Sequence, residues 1–173
     1  VRLVIFVSVG LKPLTAAPRG KFRRHSERPG IGVKGLAANS ISIMCQLLGM
    51  NCNTPTDICF SFAGFQARGG LTDVHRDGWG IAFFEGRGLR HFVDHERAID
   101  SPVAELIRRY PIKSRNVIAH IRKATQGVVS LENCHPFVRE LWGRYWVFAH
   151  NGDLKDFRPR LHAHFHPVGS TDS

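Results

Sequence analysis

From residue 45 onward the apolar residues fall into runs and alternations that predict regular elements. QLLGM opens an apolar stretch at Gln46. ICFSFAGF, residues 58–65, is apolar but too short and too uniform for its period to choose between helix and strand. WGIAFFEG predicts a strand that ends in a turn at Glu85-Gly86-Arg87-Gly88, the expected hairpin into LRHFVDH. SPVAELIRRYP is the clearest helix, with Ser101 as cap, Pro102 in the first turn and Pro111 as the stop. Its expected apolar face is Val103, Leu106, Ile107 and Tyr110. RNVIAHIR and RYWVFAH read as two largely buried strands, each running into a polar, glycine-containing loop. There is no internal repeat.

The first 43 residues have a different pattern. Only LVIFVSV shows strand periodicity, and PRG, RPGIG and KG punctuate the stretch between it and Met44. This composition predicts a basic, disordered extension ahead of a folded domain at 44–173. LVIFVSVGL with LTAAP after it resembles a short secretory signal, and the arginines beyond it suit an organellar transit peptide. A third reading is upstream sequence translated from an over-extended start, with Met44 as the true first residue.

Charge and cysteine content narrow the function classes. The chain has 173 residues, 43% of them hydrophobic, enough for one domain with a real core. Its formal charge of +10 points to nucleic acid or an anionic surface, yet residues 1–44 alone hold eight Lys and Arg against Glu27. The remaining 129 residues carry only +3, so the body of the protein is mildly basic. The four cysteines, Cys45, Cys52, Cys59 and Cys134, form no CxxC pair, which argues against a zinc knuckle or a dense disulfide framework. A reducing, cytoplasmic compartment is the default expectation. No run approaches the roughly 18–20 apolar residues of a membrane-spanning helix.

Candidate chemistry gathers where the two buried strands end, in IAHIRKATQG and FAHNGDL, which are expected to lie side by side at one edge of a sheet. Asn-Gly after a strand is first of all a hairpin turn. Alternatively, the Asn151 amide and the following N–H can converge on a developing oxyanion. That second reading needs a nucleophile, and Cys45 can supply one. A buried cysteine is ordinarily a small core hydrophobe, and a free thiol near pKa 8.5 is mostly protonated at neutral pH. If Met44 is removed, however, Cys45 gains an α-amine of pKa about 7.7–8.0 and carries its own general base.

MCQLLGMN, HRDGWGIAFFEG, AHIRKATQG, ENCHPF, FAHNG and VGSTDS, in this order, resemble the class II glutamine amidotransferases, which are N-terminal-nucleophile hydrolases, and among them the small YafJ type. The resemblance covers residues 44–173. It implies an α+β fold, a four-layer αββα sandwich of antiparallel sheets. It implies Cys45 as nucleophile, Asn151 and Gly152 as oxyanion hole, Arg122 as partner of the substrate α-carboxylate and Asp172 as partner of its α-ammonium group. Thr125, Gln126 and His135 match segments that line the glutamine pocket; a loop cap for Thr125 and an ordered turn before Pro136 for His135 remain equal alternatives.

The implied reaction is hydrolysis of the glutamine γ-amide through a γ-glutamyl thioester, with no cofactor, and with ammonia either released or passed to a synthase partner. Glutathione or another γ-glutamyl conjugate is the alternative substrate, and a basic binding module the alternative from outside enzymology. Two departures from the family stand out. In the chain as written Cys45 is amide-linked, so it is expected to be inactive, and the chain stops at Ser173, immediately after the Asp172 motif, where relatives continue. The His162, His164 and His166 set in HAHFH is expected to be a solvated loop in place of a metal site, and KFRRHSER lacks the interleaved aromatics of a nucleic-acid binder.

Overall fold

The computed structural model describes residues 3–8, 45–154 and 159–173, the first of these as backbone only. The elements are β1 (Leu3–Ser8), β2 (Gln46–Thr56), α1 (Cys59–Arg68), β3 (Trp79–Glu85), β4 (Gly88–Asp94), α2 (Pro102–Arg109), β5 (Ser114–Ile121), β6 (Phe137–Leu141) and β7 (Arg144–Asn151). All described strand pairs are antiparallel, in one sheet of order β2-β5-β3-β4 and another of order β1-β7-β6. β1 is the segment LVIFVS, the part of the basic extension with strand periodicity; residues 9–44 lie outside the described residues.

Side-chain alternation along β3 and β5 explains the layering. Trp79, Ile81 and Phe83 of β3, with Val117, Ala119 and Ile121 of β5, face α1 and α2 and form one cluster with Phe62, Phe65, Ala104 and Ile107. The intervening Ala82, Phe84 and Ile118 point the other way and pack on Val147 and Ala149 of β7. Both strands are therefore covered on two faces, by helices on one side and by the second sheet on the other, which is why they read as nearly continuous apolar runs. β2, an edge strand of its sheet, accommodates Pro55 next to a register shift between Asn51 and Thr56.

Local chemistry sets the element ends. The uncertain ICFSFAGF segment is helical: Phe62, Phe65 and Gln66 are its buried residues, an i, i+3, i+4 stripe. Glu85 and Gly88 close the β3–β4 hairpin as expected, and Gly86 takes φ 58°. In α2 the Ser101 hydroxyl accepts the Ala104 N–H at 3.3 Å and donates to Asp94.

Two expectations need correction. In α2 the buried residues are Ala104 and Ile107, with Val103 partly covered, whereas Leu106 and Tyr110 are 59% and 57% exposed. At about 100° per residue the stripe through 103, 104 and 107 leaves 106 on the flank, and Tyr110 is already in extended backbone beyond the helix. The second concerns β5 and β7, which lie in different sheets, facing each other and not side by side. Their ends still meet, because His120 of β5 bonds the His150 carbonyl of β7 through Nε2 at 3.0 Å.

Candidate active site

Cys45 stands one residue before β2, whose first pair is Gln46 with Ile121, so it reaches the chain just past the end of β5. Its Sγ accepts the Lys123 N–H at 3.2 Å and donates to the Lys123 carbonyl at 3.4 Å. Burial pushes the thiol pKa up from 9.0; the Lys123 N–H and the Arg122 charge act against that rise, and the Asp172 carboxylate adds to it. Arg122 and Asp172 are thus both within electrostatic reach of Cys45. In this chain the Cys45 nitrogen is a peptide nitrogen.

Arg122 is only 3% exposed and organises the loop after it. Nη1 donates to Val128 O at 3.1 Å, and Nη2 donates to Gln126 O at 2.7 Å and Gly127 O at 3.4 Å. Gln126 therefore meets Arg122 through its backbone, and its side chain sits on an exposed loop. Thr125, also exposed, donates from Oγ1 to Asp153 Oδ1 at 2.8 Å, so it ties the loop after β5 to the loop after β7. Asp77 braces the same turn from the HRDGWG block, its Oδ2 accepting the Ala124 N–H at 2.7 Å.

At the end of β7, Asn151 is half-buried and Gly152 has φ 125°, a left-handed conformation that favours glycine. Among the described residues the pair makes no hairpin: β7 ends here, and the chain runs on through Asp153 and Leu154. Asn151 Oδ1 is buried with no hydrogen-bond donor among the described residues. Asp172 closes this loop from the other side, Oδ2 accepting the Leu154 N–H at 2.6 Å and Oδ1 accepting from the Thr171 hydroxyl at 3.2 Å. Among the described residues no hydrogen bond links Asn151 to Cys45.

His135 sits inside the protein, 4% exposed, its ring 4.6 Å from that of His120 and 4.3 Å from that of Phe137. It comes directly after Cys134 and precedes Pro136 across a cis peptide bond. Burial pushes its pKa down to about 4, with the charges of His150 and Arg122 adding to the shift; His120 is also pushed well below 6.5, again chiefly by burial. The remaining cysteines are free thiols, and burial raises Cys134 to about 11. His162, His164 and His166 lie on an exposed turn, and among the described residues no group of three or more His, Cys, Asp or Glu is arranged to hold a metal.

Asp77, Asn133 and Asp153 carry no signal in the sequence that marks them as site residues, although HRDGWG, ENCHPF and HNGD contain them. Their roles come from contacts with residues 28 to 47 positions away. No local pattern signals such partners.

Residues 44–173 match the family model for class II glutamine amidotransferases. A Haemophilus influenzae protein named "Putative glutamine amidotransferase" is 67% identical over 134 residues, 77% of this chain and 45% of that protein. "Putative glutamine amidotransferase YafJ" of Escherichia coli K12 is 58% identical over 130 residues, 75% of this chain and 51% of that one. The chain thus spans about half the length of these curated relatives. A 2.0 Å crystal structure described as a predicted glutamine amidotransferase from Pseudomonas aeruginosa PA01 matches with TM-score 0.51 and 52% identity, covering 75% of this chain and 51% of that one. On the family match and these identities, the chain belongs to the class II glutamine amidotransferases.

Proposed function

We propose that the protein of which this chain is part hydrolyses the γ-amide of glutamine by nucleophilic attack from Cys45. The carrying observation is the Lys123 N–H at 3.2 Å from Cys45 Sγ, with Arg122 and Asp172 both close enough to act on that thiol. Sγ forms a bond to the γ-carbonyl carbon, and its proton passes to the Cys45 α-amine. The C–N bond then breaks, the departing ammonia taking that proton. Water attacks the γ-glutamyl thioester, the C–S bond breaks, and glutamate leaves.

The Asn151 side-chain amide and the Gly152 N–H hold the oxyanion, and the buried Oδ1 of Asn151 leaves its NH₂ as the group to be offered. Arg122 and Asp172 take the α-carboxylate and α-ammonium groups, with Thr125, Gln126 and His135 around the pocket. The N–H groups of the Arg122 guanidinium that do not hold residues 126–128 remain for the carboxylate.

The mechanism requires a free amine on Cys45, so the active form begins at Cys45, with Met44 and everything before it removed. In this reading residues 44–173 are part of a four-layer αββα domain, of which α1 and α2, the β2-β5-β3-β4 sheet and the β6-β7 pair make three stacked layers; β1, which pairs with β7 in this chain, is absent from the active form. A synthase partner that accepts ammonia belongs to the same reading, as does a cytoplasmic setting; no described helix is long and apolar enough to cross a membrane.

The test is a steady-state assay of the full-length protein with glutamine, glutathione and a γ-glutamyl amide, with intact-mass measurement of its amino terminus. Glutaminase turnover by a species starting at Cys45, and its loss in a folded Cys45→Ala variant, are the expected results. Preference for glutathione or the γ-glutamyl amide moves the substrate to the alternative class. Full activity in a species that retains residues 1–44 refutes the amine as base. Salt-dependent polyanion binding that survives removal of residues 1–43, with no turnover, replaces the enzyme with a binding module.

A further inference from the structure

We propose that Asn133 is a positioning residue: one buried side-chain amide clasps the segment carrying Asp172 onto the loop held by Arg122, and so sets the distance between the two ends of an amino-acid recognition site. The inference rests on the proposed roles of Arg122 and Asp172. Asn133 is fully buried and touches neither Cys45 nor Asp172 by hydrogen bond among the described residues. Its NH₂ donates to Val128 O at 2.9 Å, Ser170 Oγ at 3.1 Å and Ser130 Oγ at 3.2 Å. Its Oδ1 accepts the N–H groups of Ser170 at 2.7 Å and Thr171 at 3.2 Å. An amide offers two N–H donors and an oxygen with two lone pairs, so three acceptors share two hydrogens, both lone pairs are taken, and this group is fully used.

The contacts form a short path between the two substrate-binding residues. Val128 O receives both Arg122 Nη1 and Asn133 Nδ2. From Asn133 the path reaches the backbone of Thr171, whose neighbour is Asp172 and whose hydroxyl bonds the Asp172 carboxylate. Two glycines let the segments close on each other. A Cβ on Gly127, where φ is +74°, would lie 2.8 Å from Ser170 O. A Cβ on Gly169 would overlap Asn133 Oδ1 and lie 3.0 Å from Glu132 O. Segments 126–133 and 169–172 are therefore joined through a buried polar hub and near-contact backbones, a joint that holds geometry because every polar group in the hub has its partner.

Arg122 and Asp172 grip the part of a substrate that is not consumed, so loosening the clasp weakens binding more than bond breaking. In the full-length protein, Asn133→Ala is expected to raise KM for glutamine about tenfold or more with kcat within about threefold, the scale of losing buried hydrogen bonds. Gly169→Ala keeps Asn133 and pushes the segment off it, so it shifts KM in the same direction. Hydrogen exchange supplies a readout independent of turnover: the Ser170 and Thr171 amides, which donate to Asn133, should exchange about tenfold faster or more in either variant.

Unchanged exchange at both amides in either folded variant overturns the clasp, and faster exchange with an unchanged KM overturns the positioning role. Should Asn133→Ala not fold, Gly169→Ala decides both points. If the wild-type protein turns over no γ-glutamyl substrate, the proposed function falls, and the exchange result alone then stands for or against the clasp.

Discussion

Lowering the pH should destabilise this domain through His135. The ring is 4% exposed, lies against those of His120 and Phe137, and has no hydrogen-bond partner on either nitrogen among the described residues. Its pKa falls from 6.5 to about 4 in the folded state, first through burial. A base with a depressed folded pKa is neutral when buried, whereas the unfolded chain takes up the proton below 6.5. The stabilisation is therefore complete above 6.5 and lost as pH falls toward 4. At about 1.36 kcal/mol per pKa unit, the shift removes about 2 kcal/mol between pH 7 and pH 5 and about 3 kcal/mol by pH 4.

That is a large share of the roughly 5–15 kcal/mol that holds a domain folded. His135→Phe keeps an aromatic ring in a slot already lined by His120, Phe137 and Phe148 and removes the titration. Urea unfolding of the full-length protein at pH 7, 6, 5 and 4, monitored by tryptophan fluorescence, measures both curves. The wild type should lose about 3 kcal/mol more than the variant across that range. Parallel curves would refute the assignment of a buried, neutral His135.

Other perturbations probe separate parts of the chain. Ser101→Ala removes the cap of α2 and should cost about 0.5–2 kcal/mol in chemical denaturation; an unchanged midpoint would show that the Ala104 N–H finds another acceptor. Phe62→Ala, at a fully buried position of α1 against Trp79, should cost about 3–5 kcal/mol, and a loss below about 1 kcal/mol would mean that the helix–sheet core repacks freely. Asn151→Ala in the full-length protein should lower kcat about 10²–10³-fold with little change in KM. Equal falls in affinity and rate would instead make Asn151 a ground-state binding group.

Features with local causes were legible in the residues alone. Ser101, Pro102 and Pro111 bound α2 because capping, a fixed φ and a missing N–H act within one turn. Gly86 and Gly88 mark the β3–β4 hairpin for a similar reason. Six ordered motifs carried the family, and the match over residues 44–173 agrees with them.

Features that depend on neighbours were settled by packing. ICFSFAGF became a helix because a face of Phe62, Phe65 and Gln66 had a sheet to cover, and no period within eight residues announces that. β5 and β7 each read as buried strands, but burial looks the same whether the neighbour lies beside a strand or above it. Packing of Ile118 in one cluster with Val147 and Ala149, together with the His120–His150 bond, puts them in facing sheets. The same limit hid Asn133, whose five hydrogen bonds include three to residues 37 and 38 positions away. A hydrogen-bonding capacity is written in the residue type, whereas its partners exist only once distant segments are brought within about 3 Å of it.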